Sequence, residues 1–300
     1  MTMKVAFAIL GFGLLFASLS VGRQEACAEE PRYQDRTLTS WLNDFAYGRF
    51  PDMDKHNAAV KAVREIGTDS IPILMERIKI TSEDQTLLLR SEHERDAQRS
   101  QDIHTVSAFR ALGPASHTEI PTLIDLLAPQ YDAASESSSE PGYWLKYRSS
   151  ELAGRVLETM GTASVKPLLE ALRAEDPKIR FGAVGVLEGT YWRTKDGKIV
   201  PAILKRLHDE DTNVRWISAR VLGSINTLPG ACVPALAERV RDDPEVNVRC
   251  YALMALKKFG PRAEAALPEV MAATSEKNGA ISSYAREALK AIRAEATSAQ

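Results

Sequence analysis

An excess of either charge is what this sequence most clearly lacks. Its 300 residues carry 38 Lys and Arg against 40 Asp and Glu. That balance leaves no electrostatic footprint for nucleic acid, which calls for a basic face. Local signatures of chemistry are missing too. There is no Gly-rich phosphate loop, no Gly-x-Ser-x-Gly elbow and no Cys-x-x-Cys pair, which sets aside the familiar motifs of nucleotide binding, serine hydrolysis and dithiol redox work. Cysteine is scarce, with three in the chain, at positions 27, 232 and 250.

What is present begins with an uncharged run of 18 residues, Val5 to Gly22, preceded by Lys4 and followed by Ala26-Cys27-Ala28. A basic start, an apolar stretch and a small-x-small site are the layout of a secretory signal peptide over residues 1–28, with cleavage after Ala28 and Glu29 as the new N-terminus. Two alternatives stay open. An uncleaved run of that length is nearly enough to anchor the chain in a bilayer, and Cys27 is a lipidation candidate, although Arg23-Gln24-Glu25 suits a lipoprotein cleavage box poorly. Export to the periplasm or the medium is the expectation, with membrane attachment only through this segment.

Downstream, one helical face is written repeatedly. Ala252, Ala255, Leu256 and Phe259 fall at i, i+3, i+4 and i+7, which is one side of an α-helix. The same spacing gives Ser218, Val221, Leu222, Ile225; Ala183, Val186, Leu187, Thr190; and Ala153, Val156, Leu157, Met160. Earlier copies are Thr105, Ala108, Phe109, Leu112 and Ala59, Ala62, Val63, Ile66. The next residue is Gly67, Gly113, Gly161 or Gly260 in four copies, Asn226 in one and Tyr191 in another. Gly and Asn take the left-handed conformation that ends a helix. A proline follows each copy, at 72, 121, 167, 201, 234 and 268, where it suits the first turn of a second helix. Two residues on stand Leu74, Leu123, Leu169, Ile203, Leu236 and Val270. The last four prolines recur at intervals of 34, 33 and 34 residues, so the unit is a helical hairpin of that length whose apolar faces are covered only by its neighbours.

Both ends read as caps. Ala285, Ala288, Leu289 and Ile292 repeat the face a seventh time on a helix whose other residues are polar, and Leu38, Trp41, Leu42 and Phe45 make one face in TLTSWLNDFAYG. The expected organisation is a signal peptide over 1–28, an N-terminal segment with a capping helix over 29–53, a repeat array over 54–295 and a tail over 296–300. The expected fold is all-α: a right-handed α-solenoid of about six hairpins, capped at both ends.

The stretches DPKIRFGAVGVLEG, DTNVRWISARVLGSIN, PEVNVRCYALMALKKFG and NAAVKAVREIGTDSIPILMERI resemble HEAT repeats, in particular the short HEAT-like repeats of the phycobilin-lyase type. The resemblance covers about residues 54–294. It implies a binding scaffold more than an enzyme, and it implies that the arginine after Val or Ile, here Arg180, Arg215 and Arg249, forms a structural ladder along the stack. The first three repeats show no clean equivalent. Some HEAT-repeat enzymes hold two irons through several His-Glu pairs. This chain has one such pair, His93-Glu94, inside an insertion, and iron needs several converging ligands, so no metal, cofactor or catalytic residue is expected. An enzyme that is metal-dependent or lyase-like and uses the inserted loops is the alternative. A purely structural spacer is a further one.

Insertions on a rigid repeat array are where binding residues concentrate. One ends in Tyr143, Trp144 and Tyr147; another places Tyr191, Trp192 and Arg193 before an Asp196-Gly197 turn. Aromatics beside arginine are favoured at interface hot spots, so these six are the candidate protein-binding residues. A concave face lined by the second helices, with Glu76, Arg77, Asp125, Glu170, Lys205, Arg206, Glu238 and Arg239, is the expected seat of a protein or peptide partner. Cys232 and Cys250 start helices that run in opposite directions, which puts them beyond disulfide reach and predicts two free, buried thiols.

Overall fold

Asx caps set where several of the repeated helices begin. Asp52 accepts from the amides of Asp54 and Lys55 at the head of α2 (Met53–Ile66), and Asp176 accepts from Lys178 in α8 (Pro177–Thr194). Asp211 accepts from Asn213 and Val214 in α10 (Thr212–Ile225), and Asn278 from Ala280 and Ile281 in α14 (Gly279–Arg293). Each cap satisfies amides that have no intrahelical partner. The computed structural model describes residues 29–45, 52–79, 92–128 and 143–294, with the backbone alone at 92–95 and 143–147. The expected signal segment with Ala26 and Ala28, and the tail over 296–300, lie outside the described residues. Contacts divide the chain into Met1–Glu30 and Pro31–Gln300, and all described residues but Glu29 and Glu30 belong to the second unit.

The remaining first helices of the hairpins are α4 (Glu92–Leu112), α6 (Tyr143–Thr159) and α12 (Val246–Phe259). Their partners are α3 (Ile71–Ile78), α5 (Ile120–Asp125), α7 (Thr162–Ala171), α9 (Ile199–Arg206), α11 (Pro229–Asp242) and α13 (Leu267–Ala273). The charged insertion before Gln101 is in part helix, because α4 starts at Glu92. Successive first helices pack side by side, α8 on α10, α10 on α12 and α12 on α14, and each second helix packs on the first helix that follows it, as α7 does on α8, α11 on α12 and α13 on α14. All members of the repeated face are buried except Ile66 and Leu289, which are partly covered. Small residues let α10 and α12 approach: a methyl added at Gly223 would lie 2.6 Å from the Ala255 Cα. The fold is an all-α solenoid built around one continuous hydrophobic core.

Several local details differ from the sequence reading. Tyr191 does not end its helix; α8 runs one turn further, to Thr194, and Lys195 takes the left-handed cap at φ 54°. Gly67, Gly113, Gly161, Gly260 and Asn226 all have positive φ. Pro167 and Pro234 sit inside α7 and α11 rather than at their starts. In those repeats the turn is short, so the residues before proline wind as α-helix, whereas residues 67–70, 113–119 and 260–266 wind as tighter 3-10 turns. In α7 the register moves by one residue, and Leu168 is fully buried where Leu169 is only partly so.

The N-terminal cap is more than a helix. Strands β1 (Arg32–Tyr33) and β2 (Arg36–Thr37) form a two-stranded hairpin that leads into a five-residue helix, α1 (Leu38–Leu42). Leu38, Trp41, Leu42 and Phe45 are buried. The Trp41 indole donates to the Tyr33 carbonyl at 2.9 Å, and the Arg36 guanidinium lies 3.7 Å over its ring.

Candidate functional site

Arginines bind one repeat to the next on the side of the molecule where the first helices begin. Arg180 of α8 donates from Nη2 to Asp209 at 2.7 Å and from Nη1 to the Ala174 and Glu175 carbonyls at 2.9 Å. Arg215 of α10 repeats the pattern one unit on: Nε reaches Asp243 at 2.9 Å, and Nη1 reaches the Asp209 and Glu210 carbonyls at 3.0 Å. Arg249 of α12 pairs with Glu276 and with the Val240 carbonyl. Asp209 and Asp243 are nearly inaccessible and also hold Arg206 and Arg239 of the second helices. Those two basic groups are therefore partly spent on structure. The hydrogen bond and charge of Asp209 hold the Arg180 guanidinium above its usual pKa.

A further buried pair lies where the sequence showed no equivalent. Arg148 of α6 is bidentate to Asp102 of α4, with Nη2 at 2.6 Å and Nε at 3.1 Å, and Nη2 also reaches the Arg77 carbonyl at 2.8 Å. Asp102 stands three residues before Thr105, the same column that holds Arg180, Arg215 and Arg249. The column carries an acid here, and the base arrives from the following helix two residues out of register. A search for arginine at fixed spacing misses such an inverted pair.

Arg148 also separates two clefts. The larger, about 750 Å³, opens between α3 and α5 over the N-terminal half of α4. Its walls include Ile71, Pro72, Ile73 and Met75 on the apolar side, Gln98, Gln101, Thr105 and Thr122 as neutral polar groups, and Glu76, Arg77, Lys79, Glu119 and Arg148 as charges. The smaller, about 360 Å³, runs beside Arg99, Ile103 and Arg155. Between α6 and α8 a third hollow of about 230 Å³ is floored by Gly154, Gly182 and Gly185. Glu158, half-buried beside it, has its carboxyl pKa raised by loss of water.

The aromatic candidates fall on helix ends rather than loops. Tyr191, Trp192 and Arg193 occupy the last turn of α8. Tyr191 packs on the core, while Trp192 is 50% exposed. Their rings meet edge to face with centroids 5.7 Å apart, and the Lys195 ammonium sits 3.7 Å over Trp192. Tyr143, Trp144 and Tyr147 lie on the first turns of α6, and His93 and Glu94 on the first turn of α4; the side chains of these five lie outside the described residues. Trp216 is partly buried and stacks on Tyr251 at 4.9 Å.

Among the described residues no three His, Cys, Asp or Glu side chains converge as a metal site would need. His104 is buried, with its pKa lowered by burial and by the nearby charge of Arg77. Cys232 and Cys250 are free and buried, and burial pushes the Cys232 thiol up to about 11. Among the described residues no helix is long and apolar enough to cross a membrane.

A model of HEAT repeats matches residues 165–244. No curated protein matches the chain. Among solved structures, Kap121p bound to RanGTP is 15% identical with a TM-score of 0.53, over 84% of this chain and 29% of that one. Kap121p bound to Nup53p is 12% identical with the same TM-score of 0.53, over 85% of this chain and 29% of that one. A designed armadillo repeat protein is 14% identical with a TM-score of 0.43, over 85% of this chain and 99% of that one. This chain thus spans under a third of Kap121p. The Kap121p likeness is one of fold.

Proposed function

We propose that this HEAT-repeat chain is an exported, non-catalytic scaffold that binds a protein or peptide on the face built by its second helices. The observation that carries the reading is the 750 Å³ cleft between α3 and α5. A cleft of mixed apolar, amide and charged lining suits a specific polypeptide better than a polyanion. Solenoids present such surfaces because each repeat adds one more helix to the same face. Tyr191, Trp192 and Arg193, with Tyr143, Trp144 and Tyr147, are proposed as a second contact region along the edge. Export rests on residues 1–28 alone and predicts a mature chain that begins at Glu29, which intact mass measurement of the protein from its host checks.

Crosslinking with mass spectrometry in the native host tests the binding role. A partner captured by the wild type and lost from a Tyr191→Ala, Trp192→Ala variant that keeps its circular dichroism places the contact at the end of α8. A partner retained by that variant leaves the second-helix face as the contact. Absence of any specific partner from the wild type refutes the scaffold reading.

A further inference from the structure

We infer that the cleft between α3 and α5 receives an extended peptide whose carboxylate is seated at the Arg148 and Lys79 end. This rests on the binding role proposed above and names the chemistry of the partner at one site.

The cleft is polarised along its length. The turn before α3 packs against the turn before α5, so Glu119 marks the end where α3 begins. Arg148 bonds to the Arg77 carbonyl, and Lys79 follows α3 directly, so the basic groups mark the end where α3 finishes. α3 has eight residues and is about 12 Å long, the span of about four extended residues. A peptide of that length lies along apolar Ile71, Ile73 and Met75 with donors at one end and an acid at the other.

The basic end is prepared for a carboxylate. Arg148 is only 5% exposed in its side chain, and Asp102 and the Arg77 carbonyl engage its Nε and Nη2. Its Nη1 makes no hydrogen bond to the described residues, although the side chain borders two clefts. Gln98 donates to Asp102 at 3.1 Å and fixes the acid that in turn fixes the guanidinium. A guanidinium held by two of its nitrogens and open at the third is pre-oriented, so little rotamer entropy remains to be lost on binding. Lys79 supplies a second cation. Its partner Glu76 is 2.7 Å away, but both side chains are about half exposed or more, and an exposed pair of that kind is easily exchanged. An acidic side chain and a free peptide C-terminus present the same carboxylate, and the test separates them.

Random dodecapeptides are displayed in two formats, one with free C-termini and one flanked at both ends, and selected on the wild-type protein. Enriched peptides are resynthesised with a fluorophore and measured by anisotropy. The expected result is enrichment of Asp or Glu at one position in the flanked format, or binders from the free-C-terminus format alone. Exchange of that carboxylate for its amide is expected to weaken binding about tenfold to a hundredfold. Lys79→Glu, at an exposed position, weakens the acidic peptide and spares its amide form. Thr122→Trp, also exposed, fills the cleft and abolishes both while circular dichroism stays unchanged. Selected peptides that bind equally well with the carboxylate exchanged for its amide, or that are indifferent to Thr122→Trp, overturn the inference, and so does failure to select any peptide. None of these outcomes touches the crosslinking result, which judges the broader binding role separately.

Discussion

One methyl group separates two glycines that the sequence treats alike. Gly185 and Gly223 are both interior to first helices, α8 and α10. Alanine is the better helix former by about 1 kcal/mol, so propensity alone predicts that Gly185→Ala and Gly223→Ala both stabilise. The structure predicts opposite signs. At Gly185 an added Cβ meets nothing within 4 Å, whereas at Gly223 it meets the Ala255 Cα at 2.6 Å and the Ala255 Cβ at 2.7 Å. Carbon contacts are comfortable near 3.5–4.0 Å, so α10 and α12 must part by about 1 Å. The obstacle includes backbone, which has no rotamer to escape into. Overpacking of that kind costs about 1–3 kcal/mol, which outweighs the propensity gain. Gly185→Ala is expected to stabilise by about 1 kcal/mol, and Gly223→Ala to destabilise by about 1–2 kcal/mol. Urea unfolding followed by circular dichroism gives the size. Hydrogen exchange gives the place, because a repeat array need not unfold in one step: faster exchange is expected in α10 and α12 with Gly223→Ala. Equal stabilisation by both substitutions would refute the close-approach argument.

Three further outcomes follow from the same geometry. Asp243→Ala leaves Arg215 buried without its acid and is expected to cost about 3–5 kcal/mol, while Asp243→Leu with Arg215→Met recovers much of that, since a buried pair is costly mainly when halved; the same urea titrations measure both. Leu228 has φ 50° and precedes Pro229, a conformation that costs an L-residue about 1–2 kcal/mol, so Leu228→Gly raises the unfolding midpoint instead of lowering it. His104 is held neutral, its folded pKa below the unfolded value of 6.5. The unfolded state therefore binds the proton first, and stability falls as pH drops below about 6.5 and levels off once pH passes below the folded pKa. His104→Gln, measured by thermal melts between pH 7.5 and pH 5, is expected to lose less of its melting temperature than wild type over that window.

The molecule also separates what a linear pattern carries from what it does not. The face of small and bulky residues was legible from Ala59 to Ile292 because period 3.6 is a local property, and a helix that repeats its apolar side has only copies of itself to pack against. Positive φ at Gly67, Gly113, Gly161, Gly260 and Asn226 followed from the residue types that tolerate it. The end of α8 did not: Lys195 took the cap because Tyr191 packs on the core, and that contact is invisible in sequence. Arg180, Arg215 and Arg249 could be placed in one column, yet Asp209 and Asp243, which hold two of them, stand 28 or 29 residues on. Arg148 was missed outright, because its pair with Asp102 inverts the column and shifts it by two residues.

The amino-acid sequence by itself thus determined the hairpin, its number and its order, since these depend on spacings within about one helix. The tertiary structure alone decided where neighbouring hairpins stand close and where they part. α10 and α12 approach until one methyl is too many, and α3 and α5 leave a cleft between them. That difference comes from side chains of separate repeats meeting across a layer, so it belongs to no single stretch of chain.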